Sequence, residues 1–486
     1  MRFNAVTVAL LCVAIITFCS VAFVNSVVTV PYMDEIFHIP QAQRYCQLDF
    51  TWDDKITTLP GLYLVTLATL EPLSYFLDMK GVCTTASLRY VNCVFALGTA
   101  VCAQSILRLV NRREGAFVAF TMLAVVLFPL NYFSGLLYYT DAGSTCFVLL
   151  CYLLSLRRQH IASAAAGVIA ILFRQSNVLW VAFTAANCVN AYLSTRVKLD
   201  IARRYPLTRR TRSGASSAVN GTHPATMAKH STVQLTSFVR VLLRHPVEII
   251  RVFYMYVAVG VGFLAFVVGN GGIVVGDKSN HAASLHVSQL LYYVLFTGAL
   301  CAPTLLQAVV NHAMAEKAPL LTVRNLLVFG ALTMGCAAVL YHFNVEHEFL
   351  LADNRHFTFY IWKRIIGHET WRYVLTPVYA LGILSVWITL RPQGAVFRTV
   401  FLAVVAAVVI PQRLLEFRYF IVPYIMFRLH LQPGPADMRV TDPFRLVAPI
   451  LLELAICSAI NVLSLYAFLF LPFSWGGSDD VQRFMW

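Results

Sequence analysis

Charge is what this 486-residue chain has least of: 12% of its residues are Asp, Glu, Lys or Arg, where a soluble domain carries about 25%. With 59% hydrophobic residues and a mean hydropathy of +0.69, a soluble globular domain is excluded and a polytopic membrane protein is predicted. Acids are scarcer than bases, 23 against 37, for a formal charge of +14. That surplus invites a nucleic-acid reading, but the bases cluster in loops between apolar segments, as orientation in a membrane requires. The twelve cysteines form no C-x-x-C pair and no zinc spacing. Those inside apolar runs (Cys12, Cys19, Cys93, Cys102, Cys146, Cys151, Cys188) read as small buried hydrophobes. Cys46 and Cys83 flank the first polar loop and are free to pair if that compartment is oxidising, which the sequence does not decide. There is no internal repeat and no inverted pair of broken segments of the transporter kind.

What is present is a series of apolar runs. The first, about 5–30, is too long for the apolar core of a cleaved signal peptide and reads as a retained signal anchor. Further spans are expected near 86–109, 115–133, 141–156, 160–174, 177–194, 248–269, 287–309, 322–340, 372–390, 396–411, 417–430 and 446–472. The fold class is thus an all-α polytopic bundle of about 12–14 transmembrane helices with helices in its lumenal loops. Residues 61–77 are interrupted by Glu71-Pro72 and read as a short helix on or dipping into the membrane. Arg108, Asn111-Arg112-Arg113 and Arg157-Arg158 mark the cytosolic side. Residues 195–246, basic and Ser/Gly/Ala/Thr-rich between Thr211 and Thr232, read as a cytosolic loop with a disordered centre, or as a phosphoinositide- or nucleic-acid-binding patch. They divide an N-terminal module, 1–194 with its loop 31–58, from a C-terminal module, 247–486 with loops 270–286 and 341–370. Asn220-Gly-Thr222 in the basic loop is the only N-glycosylation sequon, so its use would report topology.

Assigning alternate loops to the far side gathers the unusual polar residues there. After the anchor come Asp34, Glu35 and His38, between Pro31 and Pro40. The two prolines allow at most two helical turns, with Asp34 and His38 on one face. Next come Tyr139 and Asp141; Arg174 and Gln175; Asp277, Lys278, His281 and His286; Asp353, Asn354, Arg355 and His356; and Lys363 and Arg364. Such a group suits glycosyl transfer from a lipid phosphate: one carboxylate takes a proton from the acceptor hydroxyl, and cations hold the phosphate. Each cluster also has an ordinary reading. Asp34 and Asp141 are candidate helix caps, Arg174 an interfacial anchor, Asp277-Lys278 a surface pair, and the aromatic-basic run 353–364 a membrane-interface belt. Glu416/Arg418 reads as a structural ion pair. His281 and His286 are five apart, wrong for two ligands on one helix face, so no metal is expected.

Met33–Cys46, Ile56–Tyr63, Leu137–Asp141, Arg174–Asn177, Val275–Lys278, Leu350–His356 and Glu416–Phe420, in that order, closely resemble the dolichyl-phosphate-glucose-dependent α-1,2-glucosyltransferases of the lipid-linked oligosaccharide pathway. The resemblance implies a GT-C-type bundle in the endoplasmic reticulum membrane with its site facing the lumen. It implies addition of the terminal glucose to a dolichol-diphosphate-linked oligosaccharide, with dolichyl-phosphate glucose as donor and no cofactor. A β-linked donor and an α product imply inversion. The family's base is an acid in the first lumenal loop, which maps to Asp34 or Glu35, with Asp34 preferred. The rival readings are a mannosyltransferase of the same superfamily using dolichyl-phosphate mannose, and a transporter or channel-associated protein.

Overall fold

The computed structural model describes residues 4–76, 81–204, 235–236, 238–240, 242–276, 278, 283–316, 322–432, 443–477 and 480–486. They form an all-α bundle whose only sheet, among the described residues, is a two-stranded ribbon pairing Phe473–Ser474 with Val481–Gln482. Every expected span falls on a helix. The opening anchor is α1 (Ala5–Val27), which carries no charged residue and is capped by Asn4, whose side chain accepts from the amides of Val6 and Thr7. It packs against α4 (Thr85–Asn111) and α5 (Ala116–Val126). Next to these lie α6 (Pro129–Ser134), α7 (Thr140–Leu156) and α8 (His160–Phe173), with α7 packed against α4 and α8.

Among the described residues, five helices are long and apolar enough to cross a membrane, and seven if each of two bent pairs counts as one span. This is fewer than the 12–14 expected, because hydropathy reads composition and not continuity. The run near 248–269 bends by 90° between Pro246–Val252 and Tyr254–Asn270, and the run near 287–309 bends by 93° after Leu300. The run near 115–133 breaks into α5 and α6 where Pro129 opens a new helix. At 1.5 Å per residue, helices such as α7 (17 residues) reach about 25 Å, short of a hydrocarbon core of about 30 Å. Beyond the expected span 177–194, α9 (Val178–Arg204) runs ten residues further, through the good helix formers Leu199, Ala202 and Arg203. The centre of the expected basic loop, with Asn220, lies outside the described residues.

The two ends of the bundle differ. At one, Asn111 donates to the Leu429 carbonyl and Gln393 to that of His430 (3.0 Å), and Arg112 and Arg157 terminate α4 and α7. At the other, the stretches 28–38, 137–141, 173–177, 353–357 and 410–420 converge. The helix α3 (Gly61–Phe76) forms where a short helix was expected and packs on α2 (Glu35–Cys46) and α8. A Cβ on Gly61 would strike the backbone of Leu172 and Phe173, so only glycine permits this approach. Contrary to the two turns expected, α2 continues through Pro40 for twelve residues; proline removes one hydrogen bond, at Ile36, and the flanking helix tolerates the loss. Cys46, at the end of α2, forms a disulfide with Cys83.

Candidate active site at one end of the bundle

The site is built on a buried ion pair. Glu35 and Arg89 are each fully buried, with Arg89 Nε and Nη2 donating to the Glu35 carboxylate at 2.8 and 2.6 Å. The same carboxylate accepts the amides of Tyr32 (3.1 Å) and Tyr138 (2.7 Å). Arg89 also donates to Asn25 Oδ1 and the carbonyls of Val28 and Val30. Asn92, one turn along α4, donates to the carbonyls of Leu137 and Tyr139. A buried charge pair is tolerable only when its remaining donors and acceptors are also satisfied, and this one ties the end of α1, the first loop and the 137–139 stretch to one helix. With four hydrogen bonds and no exposure, Glu35 has no room for a substrate. The expectation that it belongs with the catalytic groups is corrected: it is a framing residue.

Asp34, one residue earlier, points the other way. Met33 sits at φ +54°, a left-handed conformation unusual for a non-glycine residue, and Asp34 and Glu35, successive residues at the start of α2, project in different directions as helical neighbours do. Asp34 does not cap α2 with its side chain. Its Oδ2 instead accepts from Arg418 Nη1 at 2.7 Å. Arg418 is held in turn by Glu416, through Nε at 2.7 Å and also through Nη2, and lies over the Tyr139 ring at 5.4 Å. Its Nη1 is 3.9 Å from Asp141 Oδ2. Asp141, in the first turn of α7 and not its cap, pairs through Oδ1 with Arg174 at 2.8 Å, and Arg174 Nε donates to Thr140 Oγ1. His38 Nδ1 meets the Tyr63 hydroxyl at 2.6 Å.

The electrostatics follow from this grouping. Partial burial alone would raise the Asp34 carboxyl, but the Arg418 guanidinium, helped by His38 and His356, outweighs it and holds the pKa at about 2. Glu416 is lowered in the same way, Arg418 overcoming burial and the repulsion of Asp34. Burial pushes His38 below the usual histidine value despite the Asp34 and Asp141 carboxylates, with Arg418 and Arg174 adding to the depression. The carboxylates differ in access: side-chain exposure is 39% for Asp34, 17% for Glu416 and 3% for Asp141. Asp34 is therefore the most accessible of the three.

A second wall comes from Asp353–His356. Arg355 forks onto Asp353 through Nε (2.8 Å) and Nη2 (2.7 Å), and burial of Asp353 is outweighed by Arg355 and His356, which lower it. His356 Nε2 is 3.8 Å from Asp353 Oδ2. Arg355 also stacks over Trp475 at 4.9 Å, whose indole donates to Asn354 Oδ1.

Not every predicted residue joins the group. Gln175 is buried and donates to the Thr57 carbonyl, bracing the first loop. His286 is fully buried with Nδ1 against the Arg413 carbonyl, a packing position. Lys278 is exposed and bonds the Asn270 carbonyl. Lys363 and Arg364 are exposed, Lys363 lying over Phe359 at 5.6 Å. Asp277 and His281 lie outside the described residues. The neighbouring Gly276, at φ +64°, fits against the Asp54 and Ile56 carbonyls where any Cβ would collide, so this loop lies on the first one.

Sequence reasoning missed three participants. Arg418 was read as half of a structural pair with Glu416; its third partner, Asp34, is 384 positions away and left no local trace. Arg89 is a lone charge near the start of an apolar run, a signal that was available. Tyr63, beside His38, is one aromatic among many.

A polytopic helical membrane protein with one polar, carboxylate- and arginine-lined site at one end of the bundle is the class that these observations define. The DIE2/ALG10 family model matches residues 28–429. The chain is similar to the mouse protein named Dol-P-Glc:Glc(2)Man(9)GlcNAc(2)-PP-Dol alpha-1,2-glucosyltransferase, 36% identical over 94% of this chain and 93% of the relative. It is similar to human and Arabidopsis thaliana proteins of the same name, at 34% identity over 94% and 93%, and 33% over 95% and 96%. No solved structure matches. The chain belongs to the DIE2/ALG10 family.

Proposed function

We propose that this protein is an inverting glucosyltransferase of the endoplasmic reticulum membrane. It moves glucose from dolichyl-phosphate glucose to a hydroxyl at the end of a dolichol-diphosphate-linked oligosaccharide, giving the α-1,2 linkage. The names of the relatives support donor and acceptor. The lumenal assignment is supported by the Cys46–Cys83 disulfide at the site's end of the bundle, since disulfides persist in oxidising compartments, and by the basic termini of α4 and α7 at the opposite end.

The observation that carries the mechanism is the accessible Asp34 carboxylate joined to Arg418. Asp34 accepts the proton of the acceptor hydroxyl as its oxygen bonds to the anomeric carbon of the donor glucose. The bond from that carbon to the phosphate oxygen breaks, and dolichyl phosphate leaves with the electron pair. A carboxylate held at about pKa 2 is a weak base. Arg418 is the group that holds it there, and the same N–H suits the departing phosphate; as the guanidinium turns to the phosphate, Asp34 gains basicity. Arg174, Arg355 and His356 are the further cations beside this path. His38 orients the acceptor. The chemistry needs no cofactor beyond the donor lipid.

The test is Asp34→Asn in a cell lacking the family's enzyme, alongside assays of purified protein with dolichyl-phosphate glucose and dolichyl-phosphate mannose. Transfer of glucose alone by the wild type, reduced at least 100-fold in the variant, is expected. Full glucosylation by the variant would remove Asp34 as the base, and mannose transfer would change the donor.

A further inference from the structure

The segment 473–486 lies beyond the residues that the family model matches, and no motif in it drew attention in the sequence. It touches both walls of the site. On one side the Tyr32 hydroxyl donates to the Arg483 carbonyl at 2.9 Å and accepts the Arg483 amide at 2.8 Å, two bonds to one residue 451 positions away. Tyr32 is two residues before Asp34 and its amide is already fixed by Glu35. On the other side Met485 forms a parallel bridge with His356: its amide donates to the Arg355 carbonyl (2.9 Å) and its carbonyl accepts from the Phe357 amide (2.8 Å). Gln482 Oε1 accepts from Arg355 Nη1, and the Trp486 carbonyl faces His356 Nδ1 at 3.2 Å.

The segment is itself anchored. Arg483 Nη1 donates to the carbonyls of Phe468 and Leu469, at the end of the helix Pro443–Phe470, the usual satisfaction of orphan carbonyls at a helix C-terminus. Met485 is 1% exposed, and the Trp486 indole donates to Ser464. The attachments at Arg483 and Trp486, three residues apart, leave the segment 482–486 little freedom.

We infer that residues 482–486 are a clasp that sets the spacing between the Asp34 wall and the Asp353–His356 wall, with the Tyr32 hydroxyl as its positioning group. No sequence element other than this segment hydrogen-bonds both Tyr32 and the 355–357 backbone among the described residues. The relationship matters because misplacing a reacting group by about 1 Å costs on the order of 100-fold in rate. Its kinetic consequence rests on the transferase reading above.

Tyr32→Phe removes the hydroxyl and keeps the edge-on packing against Phe468 (5.6 Å). Three measurements on the full-length protein in detergent separate the possibilities: melting temperature, deuterium uptake by the 353–358 backbone, and kcat and KM for glucose transfer. The expected result is an unchanged melting temperature, at least tenfold faster exchange at 355–357, and kcat reduced at least tenfold with the donor KM within twofold. A second variant, Met485→Pro, deletes the amide that bonds Arg355 and should loosen the same peptide from the other side. Unchanged exchange at 355–357 in both variants overturns the clasp whatever the activity. If exchange rises but kcat stays within twofold of wild type, the positioning role is overturned. If the wild type itself fails to transfer glucose, the transferase reading falls, while exchange still decides whether the two walls are joined.

Discussion

Arg418 Nη1 donates to Asp34 Oδ2 across 2.7 Å, and the same guanidinium is gripped by Glu416 from its other edge. One arginine therefore keeps the most accessible carboxylate of the site ionised and, at rest, weakly basic.

Arg418→Gln should move the acid limb of the pH–rate profile upward. Asp34 is depressed to about 2 by Arg418 against the opposing effect of burial. Without the cation, burial remains and the pKa rises towards or above its ordinary value of about 4. Protonation then removes the base at a higher pH than in the wild type. Profiles of kcat/KM between pH 3.5 and 7 check this, and an acid limb that stays in place would separate Arg418 from the titration of Asp34.

Arg89→Leu should unfold the protein more readily than any change at the site's rim. It leaves the Glu35 carboxylate fully buried without its partner, a loss of about 3–5 kcal/mol. Pairing it with Glu35→Gln should recover part of that loss, because no buried charge remains. Thermal unfolding of the single and double variants in detergent reads the difference.

Reducing the Cys46–Cys83 disulfide should lower stability by roughly 3–4 kcal/mol on the chain-entropy model, from its separation of 37 residues. Cys46 ends the helix that follows Asp34, so transfer should decline with the same midpoint of reductant as the melting temperature. Parallel titrations of both with dithiothreitol make the comparison.

Lys278→Ala, Lys363→Ala and Arg364→Ala should each leave glucose transfer within about twofold of wild type. These cations are exposed, Lys278 on the Asn270 carbonyl and Lys363 over Phe359, and isolated surface charges contribute little. Donor KM values measured for the three variants provide the check.

Much of this was legible in the sequence, for physical reasons that differ by element. Apolar runs reveal where helices lie, since lipid demands them whatever the tertiary contacts, so each expected span falls on a helix. They do not by themselves reveal where a helix bends: the break after Val252 has no proline within it, while the break after Leu300 carries Pro303 in the first turn of the next helix, a local signal that hydropathy does not register. Asp34 stood out because a charge cluster directly after an apolar anchor is rare. Telling Asp34 from Glu35 was a different matter: they differ in their partners, Arg89 for Glu35 and Arg418 for Asp34, which no local composition encodes. The role of Arg418 is a long-range fact, and so is that of Tyr32, whose partner lies 451 positions on.

The distance along the chain between Asp34 and Arg418 also has a consequence for biosynthesis. The loop that bears the carboxylate leaves the ribosome 384 residues before its arginine partner, with most of the described helices made in between. A nascent chain arrested anywhere before that point holds half of a centre and cannot spend donor lipid. On this reading the centre is complete only once the segment bearing Arg418 has packed beside the loop bearing Asp34.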